Sequence, residues 1–299
     1  MGERPVLALL AAGQAKRYGG CKPLAPVGLH GEAVIDLTVA DAVAAGFADV
    51  VLILGPATGP AIEYHVRRTW PARLRVRTAY QPVPLGTAHA VLCARRQVGE
   101  RPFAVVNGDD VYGTEAFEQL RAHFADPDQA DTHALVAFEL GRSVVGGNPV
   151  TRGTVSVDAA GMLVGIDERR TVQAGADGSF RVGDGRQPAV LDPGTLVSMN
   201  LWGLHPSIWP VLAKAVAGVH PDAPLAPEDG GRAASDEEVL LPEVVGAMAA
   251  DGRDRVRVLR SSGRCVGVTH ADDLPVVRNV LAAMVGAGER SEWPWAVDG

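Results

Sequence analysis

The sequence predicts an α/β fold of the Rossmann-like kind, with a mostly parallel central sheet, helices on both of its faces, and a smaller β-rich lobe. Apolar runs of strand length alternate with helical segments through the first 140 residues. After about residue 145 the pattern changes to short strands separated by turns rich in Gly, Asp and Pro. The length of 299 residues and the hydrophobic content of 47% are sufficient for a core that serves both parts.

The first part of the chain predicts a parallel sheet. Strands that alternate with helices are joined by right-handed crossovers, so the strands run parallel and are covered on both faces. Gly46 fits the position just after a helix, and Thr87 and Thr114 fit N-caps. The predicted strands are Val6–Ala12, Val50–Leu54, Leu74–Tyr80, Phe103–Asn107 and Ala134–Leu140, and the predicted helices are Val34–Ala45, Ala61–Thr69, Ala88–Gln97 and Thr114–Phe124.

The second part predicts shorter elements. Residues 171–195 are expected to form hairpins or loops, and residues 220–235 a surface loop. We therefore divide the chain into a lobe 1–145, a lobe 146–288 that completes the same domain, and a tail 289–299. The predicted strands are Thr154–Val157, Met162–Ile166 and Leu196–Leu204, and the predicted helices are Glu237–Ala250 and Asp272–Val285.

The composition excludes several classes of partner and location. A net charge of −7 argues against nucleic acid or an anionic membrane as a partner, because both bind cationic surfaces. The three cysteines are scattered and form no C-x-x-C pair, which favours a reducing, cytoplasmic location. We see no signal-peptide pattern and no apolar run long enough to span a bilayer. A homo-oligomeric state is left open.

The loop after the first predicted strand has the composition of a phosphate site. Gly13 allows a ligand to approach the main chain, and Lys16, Arg17 and Lys22 add cations that form strong hydrogen bonds to phosphate. The spacing is not that of a Walker loop, and no G-x-G-x-x-G is present. The alternative is an ordinary turn whose cations are only solvated.

Two carboxylates follow the predicted strand Phe103–Asn107. Asp109 and Asp110 would be costly to bury there without water, a donor or a cation. Mg²⁺ takes one or two carboxylates together with phosphate oxygens and water, so Asp109 is a candidate metal ligand. The alternative is a turn in which one of these aspartates caps the next helix.

Three further segments carry weaker signals. Within Gln81–Ala90, Gly86 allows close approach, Gln81 offers a donor and an acceptor to a base edge, and Thr87 opens a helix. Glu168 and Arg169 lie in a charged run at the end of a predicted strand, where a ligand site and a solvated turn are about equally expected. The weakest signals for ligand binding are those of Gly153, which follows Arg152, and of Asn200, which lies two residues before Trp202.

In their order along the chain, these segments resemble the motifs of the sugar-1-phosphate nucleotidyltransferases, also called nucleoside-diphosphate-sugar pyrophosphorylases. The resemblance implies transfer of a nucleoside monophosphate from a nucleoside triphosphate to a sugar-1-phosphate, with Mg²⁺ as cofactor. It implies catalytic roles for Arg17, Lys22 and the metal ligand Asp109; nucleotide binding by Ala11, Ala12, Gly13, Gln81, Gly86, Thr87 and Gly108; and sugar-phosphate binding by Gly153, Glu168, Arg169 and Asn200.

The sequence departs from that pattern at three places. Ala15 replaces the usual second glycine of the loop, and Arg169 replaces a lysine. A late acidic metal ligand is missing, because the equivalent segment Arg264–Thr269 contains no acid. A non-catalytic regulatory subunit that binds nucleotides or nucleotide sugars is therefore an alternative. A second alternative keeps the chemistry but has a cyclitol phosphate as the acceptor. A dinucleotide-dependent oxidoreductase ranks lower, since its glycine fingerprint is absent.

Overall fold

The computed structural model describes residues 4–13, 19–175, 177–229, 233, 235–252, 255–268 and 270–295. Within them, the strands are β1 (Val6–Ala11), β2 (Asp49–Leu54), β3 (Arg75–Tyr80), β4 (Phe103–Asn107), β5 (Asp110–Val111), β6 (Thr132–Glu139), β7 (Val150–Val157), β8 (Leu163–Ala174), β9 (Phe180–Val182), β10 (Val190–Leu191), β11 (Leu196–Leu204), β12 (Arg255–Ser261) and β13 (Val266–Gly267). The helices are α1 (Val34–Ala44), α2 (Gly59–Thr69), α3 (Thr87–Cys93), α4 (Arg95–Val98), α5 (Thr114–Ala125), α6 (Ile208–Val219), α7 (Leu241–Ala250) and α8 (Leu274–Gly286).

The first four strands form the parallel sheet that the alternation predicts. They lie in the order β3–β2–β1–β4, and each neighbouring pair is parallel. Helices α1, α2 and α5 pack on one face of this sheet, and α3, α6 and α7 pack on the other. Because both faces are covered, β1 and β2 consist almost entirely of apolar residues. The α/β fold with helices on both faces is confirmed.

The second part of the chain enters the same sheet through β11. This strand lies antiparallel between β4 and β6, and β12 adds in parallel to β6. Strands β7, β8, β9 and β10 continue the sheet as an antiparallel series. The sheet is therefore mixed, with parallel pairing in the first half and mainly antiparallel pairing in the β-rich half.

One edge of β11 changes its partner along its length. Val197 and Ser198 pair with β7, whereas the segment from Trp202 to Leu204 pairs with β4. The register also shifts between these two stretches, and Asn200 has a φ of 60°. The hydroxyl of Tyr112 donates a hydrogen bond of 2.8 Å to the carbonyl of Met199, which satisfies that group at the irregularity. As a result β4 and β7 separate, and a cleft lies between them.

Several predicted boundaries are corrected. Thr87 and Thr114 are the first residues of α3 and α5 rather than N-caps, because Gly86 and Gly113 occupy the cap positions with positive φ. Helix α7 begins at Leu241 instead of residue 237, since the backbone just before it pairs with the turn at residue 85. The predicted helix 88–97 is divided into α3 and α4, and the predicted strand 162–166 extends to residue 174.

The described part of the tail contacts the first lobe. The Trp293 ring stacks on His30 with ring centroids 3.9 Å apart, and Trp295 lies against Trp70 at 5.9 Å. Arg290 forms a buried ion pair of 2.8 Å with Asp41, a residue of α1. The segment 289–295 is therefore fixed to the body of the protein. None of the described helices combines the length and the apolar character needed to cross a bilayer.

Three neighbouring histidines make part of the core sensitive to pH. His133 on β6 is fully buried, and its ring centroid lies 6.0 Å from that of His205, which in turn lies 6.3 Å from His123. Burial, together with these two histidines, lowers the pKa of His133 to about 4. His123 Nε2 hydrogen-bonds to the Thr132 carbonyl at 2.7 Å, and the His205 amide donates to Nδ1 of His133 at 3.1 Å. Burial also lowers the pKa values of His123 and His205.

We expect protonation of His133 to lower the free energy of unfolding as the pH drops from about 6.5 to 4, whereas Asp110, whose pKa is raised to about 7, contributes in the opposite direction. The unfolded chain protonates His133 near pH 6.5, whereas the fold does so only near pH 4. This residue alone therefore removes about 3 kcal/mol of stability over that interval. Denaturant titrations at a series of pH values measure the effect. On acidification His133→Gln should lose about 3 kcal/mol less stability than the wild type, and His30→Gln, which changes an exposed histidine, should keep the wild-type pH dependence. A wild-type pH dependence in His133→Gln would contradict this role of His133.

Candidate active site

A cavity of about 440 Å³ lies where β4 and β7 separate. It is at the carboxyl end of β4, where ligands bind in open α/β sheets. Five of the sequence-predicted site residues line it: Lys22, Asp109, Gly153, Glu168 and Asn200. They come from segments almost 180 positions apart in the chain, and the mixed sheet brings them together.

Lys22 and Asp109 form the charged pair of the cavity. Lys22 begins a short 3-10 turn that follows the glycine loop, and its Nζ lies 3.7 Å from Oδ2 of Asp109. Burial raises the pKa of Asp109, and the nearby Lys22 charge opposes that shift. The pair is incompletely buried, with side-chain exposures of 17% for Lys22 and 36% for Asp109, so a ligand can reach both groups.

Asp110 adds a second carboxylate beside Asp109. Its Oδ2 accepts a hydrogen bond of 2.9 Å from Nδ2 of Asn107. Burial and the neighbouring Asp109 charge raise the pKa of Asp110 to about 7. The segment expected to carry a late acidic ligand includes Gly267 on β13, which pairs with β5. A Cβ at Gly267 would overlap Oδ1 of Asp110, so the Asp110 carboxylate occupies the space beside this glycine.

Gly153 and Asn200 also line the cavity. A Cβ at Gly153 would lie 2.8 Å from Cγ2 of Ile166, so there is no room for a side chain. Asn200 stands at the irregular part of β11, where Trp202 Nε1 donates to its Oδ1 at 3.3 Å. The Asn200 amide also reaches Oδ1 of Asn107 at 3.4 Å. Its left-handed backbone conformation is unusual for a residue other than glycine and is typical of functional sites.

Arg169 does not reach the cavity, which corrects the expected sugar-phosphate contact. Successive side chains of a strand point to opposite faces, so Glu168 and Arg169 leave β8 in opposite directions. Glu168 lines the cavity, while Arg169 is only 2% exposed. The Arg169 guanidinium donates to both carboxylate oxygens of Asp184, at 2.8 and 3.2 Å, and to the carbonyls of Arg186 and Pro188. These bonds hold the end of the β-rich lobe together.

The segment Gln81–Ala90 does not line this cavity either, but it contacts the segment around residue 240, which does. The Gln81 amide donates to the Gly86 carbonyl at 3.0 Å and reaches Nδ1 of His89 at 3.1 Å. The backbone of Val239 bonds to this turn, and the Thr87 hydroxyl accepts from the Leu241 amide at 2.8 Å. Residues 240, 242 and 243 then line the cavity. No feature of the sequence indicated this connection.

The predicted residues of the glycine loop are only partly described. Ala11 ends β1, and its carbonyl accepts from the Thr58 hydroxyl at 2.8 Å. The Gly108 amide donates to the Leu10 carbonyl at 2.8 Å. Ala12 is half-buried and Gly13 is exposed. Arg17, together with residues 14–16 and 18, lies outside the described residues.

The comparisons with known proteins agree with this architecture. A family model described as "MobA-like NTP transferase domain" matches residues 7–217. The chain is 26% identical over 276 residues to the bifunctional protein GlmU of Sorangium cellulosum, covering 91% of this chain and 51% of that protein. It is 52% identical over 42 residues to UTP–glucose-1-phosphate uridylyltransferase YngB of Bacillus subtilis, covering 13% of this chain and 14% of that protein. The chain thus spans about half the length of the first relative.

Two solved structures share the fold. A UDP-glucose pyrophosphorylase in complex with UDP-glucose matches with a TM-score of 0.66 and 15% identity, covering 94% of this chain and 99% of that one. A UTP-bound UGPase from Acinetobacter baumannii matches with a TM-score of 0.60 and 16% identity, covering 95% and 94%.

Gly86 packs against the backbone of Val239, directly before the cavity-lining residues 240, 242 and 243, and substitution of Gly86 tests this packing. Gly86 and Gly99 both have positive φ, 95° and 72°, so alanine costs about 1–3 kcal/mol of backbone strain at either position. A Cβ at Gly99 meets open space, whereas one at Gly86 overlaps the Val239 backbone. We expect Gly86→Ala to lower the free energy of unfolding clearly more than Gly99→Ala in denaturant titrations. Equal losses would contradict this packing.

Proposed function

Because the chain belongs to the family of MobA-like NTP transferase domains, we propose that it is a sugar-1-phosphate nucleotidyltransferase. In the proposed reaction an oxygen of the acceptor phosphate attacks the α-phosphorus of a nucleoside triphosphate. The bond from that phosphorus to the oxygen bridging the β-phosphate breaks, and pyrophosphate leaves. The observation that carries the proposal is the cavity in which Lys22 and Asp109 share one space with Glu168 and Asn200.

The charges of the cavity suit this reaction. Phosphoryl transfer needs little covalent help from the protein, and it depends on alignment and on neutralisation of phosphate charge. In our proposal Lys22 neutralises the phosphates near the reacting centre, and Arg17 contacts the β- and γ-phosphates. Glu168 accepts hydrogen bonds from sugar hydroxyls, Asn200 adds an amide, and the Gly153 backbone can approach the sugar closely.

The donors present also suit a magnesium ion. Asp109 and Asp110 offer carboxylate oxygens, which are the ligands that Mg²⁺ takes, and Asp109 is accessible from the cavity. The described residues contain no cluster of three or more His, Cys, Asp or Glu suited to a metal, so phosphate oxygens and water would supply the other ligands. When bound, Mg²⁺ would neutralise phosphate charge. The proposed location of the reaction is the cytoplasm.

The nucleotide to test first is UTP. The structural neighbours contain UDP-glucose and UTP, and the shorter of the two sequence matches is to a UTP–glucose-1-phosphate uridylyltransferase. Gln81 and Gly86, with Ala11, Ala12 and Gly13, are proposed to hold the base, and Thr87 and Gly108 to shape the same pocket. The acceptor is a sugar-1-phosphate or a cyclitol phosphate.

A non-catalytic subunit that binds nucleotides or nucleotide sugars is the second candidate. It is favoured by Gly267, which stands in the segment expected to carry an acidic metal ligand. The two candidates differ in turnover, since only an enzyme releases pyrophosphate from a nucleoside triphosphate and a sugar-1-phosphate. A pyrophosphate-release assay over the four common triphosphates and a panel of sugar and cyclitol phosphates separates them.

We expect Asp109→Asn and Lys22→Met each to reduce the rate of pyrophosphate release at least about 100-fold, since charge neutralisation dominates this chemistry. Both variants should retain the thermal stability of the wild type within a few degrees. Asp222→Asn, which changes an exposed aspartate far along the chain, serves as the control and should keep full activity. Near-normal rates in Asp109→Asn would refute the role of this carboxylate.

A further inference from the structure

Arg152 is a cavity residue whose hydrogen-bonding capacity is only partly used. It stands on β7 directly before Gly153 and lines the cavity. One Nη donates to the Thr151 carbonyl at 2.9 Å, and the other donates to the Ser143 carbonyl at 2.7 Å. The Nε atom is buried and has no hydrogen-bond partner. Of the five N–H groups of the guanidinium, these contacts use two.

The charge of Arg152 also lacks a close counter-ion. No carboxylate of the described residues forms an ion pair with it, although Asp109 and Asp110 lie near enough to act on it electrostatically. Arg169, on the adjacent strand β8, is the opposite case, because Asp184 pairs with it at 2.8 Å. Arg152 is half-buried, with its Nε fully enclosed. A cation that is withdrawn from water is costly unless an anion accompanies it, so a bound anion would stabilise Arg152.

The orientation of Arg152 is fixed before any ligand binds. Ser143, whose carbonyl accepts from Arg152, is buried at the end of a 3-10 turn that follows β6. The Ser143 hydroxyl donates to the Leu140 carbonyl at 3.1 Å, which holds that turn. A planar guanidinium held by two carbonyls presents its remaining N–H groups in a defined direction, and such a fork matches phosphate oxygens.

We propose that Arg152 binds the phosphate group of the acceptor and makes the cavity selective for phosphorylated sugars over free sugars. This proposal rests on the proposed function, and it assigns to Arg152 the contact that the sequence suggested for Arg169. Lys22 then acts on the nucleotide side of the reacting phosphates and Arg152 on the acceptor side. Glu168 accepts from Arg170 Nε through Oε1 at 2.8 Å, so its other carboxylate oxygen is the one proposed for the acceptor hydroxyls, beside Asn200 in the same cavity.

Binding in the absence of nucleotide tests the proposal without requiring turnover. Glucose 1-phosphate and inorganic phosphate should raise the melting temperature of the wild type, and glucose should not, because a ligand that binds only the fold stabilises it. Arg152→Met should abolish the response to both phosphates, and Arg152→Lys should retain part of it. Arg181→Met, which removes an exposed cation of β9, is the matched control and should respond like the wild type.

The stability of the variants separates a binding role from a structural one. Arg152→Met should unfold at a temperature close to that of the unliganded wild type, since it removes a half-buried cation without a counter-ion. Arg169→Met should unfold at a clearly lower temperature, since it leaves Asp184 unpaired. If turnover is found, Arg152→Met should raise KM for the acceptor at least tenfold and leave KM for the triphosphate within about threefold.

Failure of this proposal and failure of the proposed function give different results. A wild type that binds glucose 1-phosphate through Arg152 but releases no pyrophosphate supports the binding role and refutes the enzyme. An Arg152→Met variant that binds glucose 1-phosphate like the wild type overturns the role of Arg152, whatever the activity. A wild type that responds to neither phosphate overturns it as well.

Discussion

The change of partner along one edge of β11 is the constraint on which the site depends. A continuous antiparallel pairing of β11 with β4 would leave no space at the carboxyl end of β4. Because β11 leaves β7 after Ser198 and joins β4 at Trp202, the two flanking strands separate and the cavity lies between them. Tyr112 satisfies the Met199 carbonyl at this irregularity, so the separation leaves that buried backbone group hydrogen-bonded.

The electrostatics of the cavity follow from this geometry. The charged groups of the β-rich lobe are matched where they serve structure, as in the pair of Arg169 and Asp184. The charged groups of the cavity are matched less completely, with Lys22 3.7 Å from Asp109 and the Nε of Arg152 without a partner. Incomplete pairing of half-buried charge is typical of sites that are completed by a charged ligand. In the proposed complex, a metal ion would supply positive charge beside Asp109, and the phosphates of the nucleotide would supply negative charge to Lys22 and Arg152.

The sequence predicted the parallel half of the fold well, because strands buried on both faces leave unmistakable apolar runs. It could not predict the insertion of β11, since a strand pattern carries no record of which strands become neighbours. In the site, Lys22 and Asp109 follow strands and were found from that position. Arg169 was misplaced because a run of charges does not reveal which of two successive residues faces inward, and a shift of one residue reverses the face. The sequence did not indicate a ligand role for Arg152, the residue before Gly153. That role is inferred from its place in the cavity and from its buried Nε, which has no hydrogen-bond partner.

In the proposed complex, one cavity holds the phosphates between Lys22 and Asp109 on one side and Arg152 on the other. A crystal structure of the protein with a nucleotide sugar and Mg²⁺ would show whether the phosphates bind in this way. We expect the diphosphate to lie within hydrogen-bonding distance of both Lys22 and Arg152, with the metal on Asp109 and the sugar beside Glu168. A nucleotide sugar whose diphosphate lies outside this cavity, in contact with neither cation, would contradict it.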